Sequence, residues 1–178
     1  QHSRGVAVDD SRRRQAEEAC AGDEECLKKA AGVPLDVYVA NRSPNSLLIG
    51  RTDRVAAEVA AGDLPTFHNN IPLTAGPSQV RLGTIVDQNG EKQLRVFVVC
   101  FDSALIYIYD PVLGRVETEI FTGRGPQSIT FDTQEPLAYI GHFTDSYVGV
   151  VSLDQRHFRT YGAMLATIGK PTSPRATQ

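Results

Sequence analysis

Arg95-Val96-Phe97-Val98-Val99-Cys100, followed four residues later by Leu105-Ile106-Tyr107-Ile108-Tyr109-Asp110, decides the fold of this chain. Both runs are β-branched and aromatic and are bounded by turn residues, which reads as two antiparallel strands. Upstream, Asp87-Gln88-Asn89-Gly90 is a hairpin signal, with Asn-Gly expected to supply the positive φ angles of a tight turn. Downstream, Asp110-Pro111-Val112-Leu113-Gly114 connects a third strand to a fourth. Residues 78–86, 94–100, 104–110 and 115–122 therefore form one four-stranded antiparallel unit.

The same unit recurs on either side, and internal repetition changes the reading of the whole chain. Asp36-Val37-Tyr38-Val39-Ala40-Asn41 and Leu137-Ala138-Tyr139-Ile140-Gly141-His142 put an aromatic where Phe97 stands. Each is followed by a second apolar run, Leu47-Leu48-Ile49 in one case and Val148 to Asp154 in the other. Gly76-Pro77 and Gly125-Pro126 lie 49 residues apart, and Gly169-Lys170-Pro171 follows as a looser third after 44. Those spacings suit propeller blades. The fold class expected is all-β, a β-propeller of four-stranded antiparallel blades with a small helical insertion. Blade one covers residues 4–74, blade two 77–122 and blade three 126–170, with a C-terminal tail at 171–178.

The first unit departs from the pattern. After a strand at Gly5 to Asp9, residues 11–32 replace a tight hairpin with helix formers; Ser11 is the expected N-cap, and Gly32-Val33-Pro34 ends the stretch. Another long connection, 51–65, is expected to hold a helical turn over 55–61. Cys20 and Cys26 flank a short polar segment, which fits a local disulfide between two helical pieces meeting at Gly22-Asp23; two free surface thiols are the alternative. Cys100 ends an apolar strand and reads as a small buried hydrophobe.

Composition sets further bounds. The chain has 178 residues, 41% hydrophobic and 22% charged, and a net charge of −3 that offers no reason to expect nucleic acid or an anionic membrane. Arg12, Arg13 and Arg14 form the one dense basic run and read as a solvated helix face. No apolar stretch reaches the roughly 18 residues of a membrane span. Gln1 stands where an initiator Met would, so a processed form or a fragment is expected, with any export signal upstream.

The segment from Phe97 to Asp132 resembles the YVTN family of β-propeller repeats, whose pattern runs from an aromatic-Val-x-Asn strand through an alternating strand to a Gly-x-x-Pro connection. Tyr38-Val39-Ala40-Asn41, Val148 to Asp154, and Ile120 to Pro126 carry the likeness. Cys100 and His142 replace the family Asn in units two and three. The resemblance implies an exported bacterial protein, periplasmic or at the cell surface, lipid-anchored through an upstream segment in one arrangement. It also implies a ring of six to eight blades, most often seven. Three blades are then an arc, and the expected partner is the remainder of the ring: a separate or cleaved polypeptide, an N-terminal half preceding Gln1, or further copies of this chain.

Asn41, Cys100 and His142 occupy equivalent strand ends on the face where propeller ligands bind, and are the candidate rim residues. Binding of a soft metal and simple loop hydrogen bonding are the two readings there. His68-Asn69-Asn70 reads as turn chemistry, His157 as exposed, and Asp23-Glu24-Glu25 as a solvated helix start. No catalytic or cofactor motif is present, and the cofactor is unknown. The function expected is therefore a non-enzymatic interaction or assembly module that presents loops to a protein or glycan partner. The alternative is an enzyme, a lactonase-like hydrolase or a redox-linked propeller, with its site in a central funnel.

Overall fold

The structure, a computed structural model, describes residues 3–53, 59–62 and 67–170. Among the described residues the chain forms three four-stranded antiparallel sheets, each built from consecutive strands, two short α-helices and a 3-10 turn at Gln155–His157. The first sheet holds β1 (Ser3–Asp9), β2 (Asp36–Arg42), β3 (Asn45–Arg51) and β4 (Asn69–Pro72). The second holds β5 (Pro77–Val86), β6 (Lys92–Cys100), β7 (Leu105–Asp110) and β8 (Arg115–Phe121). The third holds β9 (Pro126–Phe131), β10 (Leu137–His142), β11 (Val148–Ser152) and β12 (Met164–Ile168).

Side-chain alternation explains the stacking. Along a strand, successive side chains point to opposite faces. In β6, Val96, Val98 and Cys100 enter a core shared with Tyr38, Ala40, Leu47 and Ile49 of the first sheet. Phe97 and Val99 enter a second core with Ile129, Ala138, Ile140 and Val151 of the third. The near-continuous apolar runs of β6 and β7 are thus the mark of a sheet covered on both faces. Each fully buried aliphatic or Phe side chain contributes roughly 1.5–3 kcal/mol of transfer free energy. The sheets do not close into a ring.

β1 and β5 lie close together at one edge of the stack. A Cβ on Gly5 would stand 2.8 Å from the Cα of Gln79, so only glycine lets the two backbones approach this far. The Gly-Pro pairs open β5 and β9: Gly76 and Gly125 have φ of 85° and 64°, which glycine adopts without steric cost. Gly76 O accepts from Phe101 N, and Gly125 O accepts from Phe143 N, at 2.8 and 2.7 Å. Each pair therefore fixes the loop that leaves the sheet's second strand.

The insertion is two helices, α1 (Ser11–Ala19) and α2 (Glu24–Ala31). Cys20 and Cys26 are joined by a disulfide, with Cα atoms 5.5 Å apart, and Cys20 is buried. Asp23 caps α2 by accepting from Cys26 N at 2.7 Å, and Gly32 is its C-cap.

Three expectations need correction. Asp10, not Ser11, is the N-cap residue of α1, and its side chain makes no capping bond; the Ser11 amide is held instead by Asp9 Oδ1 at 2.9 Å. The arginine run is not simply solvated: Arg12 pairs with Asp36 at 2.8 Å and Arg13 donates twice to Val33 O, so two of the three tie α1 down, while Arg14 pairs with Asp10. In the 87–91 turn only Gly90 has positive φ, because Asp87 Oδ1 accepts from both Asn89 N and Glu91 N and sets the turn itself. The helical turn expected over 55–61 and the tail at 171–178 lie largely or wholly outside the described residues.

Candidate functional site

The loops that follow the second strand of each sheet and those that join one sheet to the next lie on one face, where they interlock. Arg42 pairs with Asp102 across the first and second sheets. Thr74 Oγ1 donates to Ser103 Oγ at 2.9 Å and accepts from Tyr107 OH at 3.0 Å. Between the second and third sheets, Asp145 accepts from the Arg124 amide at 2.7 Å and from its guanidinium at 2.9 and 3.1 Å. Those bonds, the amide's first, hold the Asp145 carboxyl below the usual carboxylate range.

The candidate rim residues face into this framework. Asn41 is buried at 1% exposure; its Nδ2 donates to Pro44 O at 2.7 Å, and its Oδ1 is buried without a partner. Cys100 is fully buried in the core, and burial pushes its thiol up to about 12. His142 Nε2 accepts from Gly123 N at 3.0 Å, so Nδ1 carries the proton it gives to Tyr147 O, also at 3.0 Å. Register places the three at equivalent points, opposite Ser3, Pro77 and Pro126. The His142 ring ties the loop after β10 to the connection between the second and third sheets, and no group of three or more His, Cys, Asp and Glu able to hold a metal occurs among the described residues.

A second set of equivalent positions escaped the sequence reading. Each sheet's first strand has a register shift where it begins, and the residue left over is Arg4 in β1, Ser78 in β5 and Gln127 in β9. Such bulges re-aim a side chain out of the ladder. All three residues line one cleft of about 360 Å³, together with Arg42, Gln79 and Phe101. Arg4 and Gln127 are exposed, and Arg4 has no ion-pair partner among the described residues. Ser78 Oγ donates to Val99 O at 3.1 Å and keeps its lone pairs free to accept. Gln79 Oε1 is buried with no hydrogen-bond partner. Phe101 meets Phe143, its equivalent one sheet on, with ring centroids 6.3 Å apart. Bulges leave no sequence mark, but the recurrence of a polar residue beside each Gly-Pro pair was a usable hint.

At the opposite end of the sheets a polar network has a different character. Arg95, 7% exposed, pairs with Asp110 at 3.0 Å and Glu117 at 2.6 Å and donates to Leu94 O at 2.9 Å. Glu117 Oε1 also accepts from Gln155 Nε2 and Tyr161 OH, both at 2.5 Å. Burial, then the neighbouring Glu117, pushes the Tyr161 phenol above its ordinary value. Every Arg95 nitrogen has an acceptor, so the network bolts the second sheet to the third rather than offering a site. His157 is exposed on the turn beside it, next to Asp154, and His68 donates its amide to Ile49 O just before β4.

The fold and site thus define an all-β chain of three stacked four-stranded sheets with a polar cleft on its loop face. No protein-family model and no curated protein matches it. Among solved structures it is similar to hydrazine synthase of Kuenenia stuttgartiensis, at 14% sequence identity and a TM-score of 0.49. The similarity covers 79% of this chain and 34% of that one, so the chain spans about a third of that protein's length.

Proposed function

We propose that this chain is an arc of a YVTN-type β-propeller and serves as a non-enzymatic interaction or assembly module of an exported bacterial protein. Further four-stranded sheets of the same repeat cover its two outer faces, and its loop face is presented to a protein or glycan partner. One observation carries this reading. Val6, Val80 and Ile129 hold equivalent places in β1, β5 and β9, and their exposures are 58%, 1% and 5%. The first sheet thus carries the same apolar position as the others, with no sheet over it among the described residues. The disulfide and the lack of any described helix able to cross a membrane suit a periplasmic or extracellular setting.

Val6→Asp tests the reading, because a charge at that position leaves the described core untouched and blocks a covering sheet. In size-exclusion chromatography with light scattering, the parent chain is expected to associate and the variant to associate at least about tenfold more weakly. A parent chain that stays monomeric at micromolar concentration, with no change in the variant, would sink the proposal.

A further inference from the structure

We infer that the cleft between the bulged strand ends binds a carboxylate-bearing sugar, a uronic acid unit. This deepens the proposal above, since it rests on the loop face being the presented one. Three features of the cleft converge on that chemistry. Arg4 is a guanidinium without an acidic partner among the described residues, and Arg42, shared with Asp102, stands in the same cleft. A planar guanidinium matches a carboxylate with two parallel hydrogen bonds.

Gln79 Oε1 is the second feature. A buried acceptor without a donor is rare in a folded protein and is commonly met by a ligand or water. Gln79 lines the cleft, and turning its amide toward the cleft brings Oε1 to a sugar hydroxyl, the donor it lacks. Gln127 and Ser78 add exposed or partly exposed groups that give and take hydrogen bonds with further hydroxyls.

The third feature is aromatic. Phe101 lines the cleft, with the Phe143 ring 6.3 Å from its own, and offers apolar ring surface to the C–H face of a pyranose. A bare inorganic anion would use the arginines and leave both the aromatic wall and the Gln79 carbonyl unmatched. The cleft's volume of about 360 Å³ lies in the range of small-ligand sites, about 300–1,000 Å³.

The test is calorimetric titration of the full chain with sodium glucuronate, with glucose and sodium acetate as matched controls. Saturable binding of glucuronate is expected, with glucose and acetate each at least about tenfold weaker. Arg4→Gln is expected to weaken glucuronate about tenfold while leaving the thermal midpoint unchanged, because Arg4 is exposed and unpaired. Gln127→Ala, also exposed, is expected to weaken it by a smaller factor. Acetate binding as tightly as glucuronate would overturn the sugar assignment, and no glucuronate binding, or binding indifferent to Arg4→Gln, would overturn the site. The association state, followed by light scattering on the same samples, reports separately on the assembly proposal, so the two fail distinguishably.

Discussion

Replacing Phe97 and Tyr139 by alanine, one at a time, should give very different losses of stability although the two hold the same place in the repeat. Phe97 is fully buried between the second and third sheets, with its ring centroid 4.8 Å from that of Phe131. Phe→Ala at such a site costs about 3–5 kcal/mol, from lost transfer free energy and the cavity left behind. Tyr139 faces outward from the third sheet, partly exposed, with its hydroxyl on Asp132 Oδ2 at 3.0 Å. In the isolated chain its removal should cost only about 1 kcal/mol. For a domain of this size each kcal/mol moves the thermal midpoint by about 2–4 °C, so Phe97→Ala should lower it by roughly 6–20 °C and Tyr139→Ala by a few degrees. Tyr38→Ala, at 2% exposure against Tyr109, should behave like Phe97→Ala. Differential scanning calorimetry or urea denaturation reads all three. Equal losses at positions 97 and 139 would refute the sheet order described: equally large, and the third sheet's outer face is covered in the single chain; equally small, and the second and third sheets do not share a core.

Three other outcomes follow from particular contacts. Gly125→Ala should destabilise by more than about 1 kcal/mol, since alanine is strained at φ 64° and its Cβ would stand 2.5 Å from Thr144 Oγ1; an unchanged denaturation midpoint would contradict it. Asp87, Asp132, Asp145 and Asp154 all have carboxyls held below their ordinary value by hydrogen bonds, led respectively by the Glu91 amide, the Glu135 amide, the Arg124 amide and the Arg156 side chain. Stability they contribute is complete above the unfolded carboxyl value of about 3.9 and is lost as pH falls through the folded values, so urea midpoints should drop below about pH 4 and stay flat from there to neutrality on their account. Cys100, raised by burial to about 12, should resist iodoacetamide at pH 8 in the folded chain and react at once in urea.

Much of the architecture was legible because it is written in side-chain periodicity. The Val96 to Cys100 and Leu105 to Tyr109 runs are apolar at every position, and only a sheet covered on both faces asks for that. The Gly-Pro pairs were visible as spacing, and their φ values supply the cause. What the sequence hid has physical reasons too. Whether Asn89 or Asp87 governs a turn depends on where one carboxylate points, not on the Asn-Gly dipeptide. Arg12 and Arg13 look like any solvated pair until the helix is placed against Asp36 and Val33. The cleft is the clearest case. Arg4, Ser78 and Gln127 share no residue type, and a register shift of one residue, invisible in a linear sequence, turns them to a common space. Of the rim residues chosen from strand ends, by contrast, Cys100 is fully buried in the core and both ring nitrogens of His142 are bonded.

We propose that further sheets of the same repeat cover the outer faces of these three. Native mass spectrometry of the protein taken from its source, followed by denaturing mass analysis, tests it most directly. Further repeats are expected in the same particle, on a longer polypeptide, on a second one held non-covalently, or on further copies of this chain. A particle of 19.4 kDa, stable and alone in dilute solution, would contradict the covering sheets.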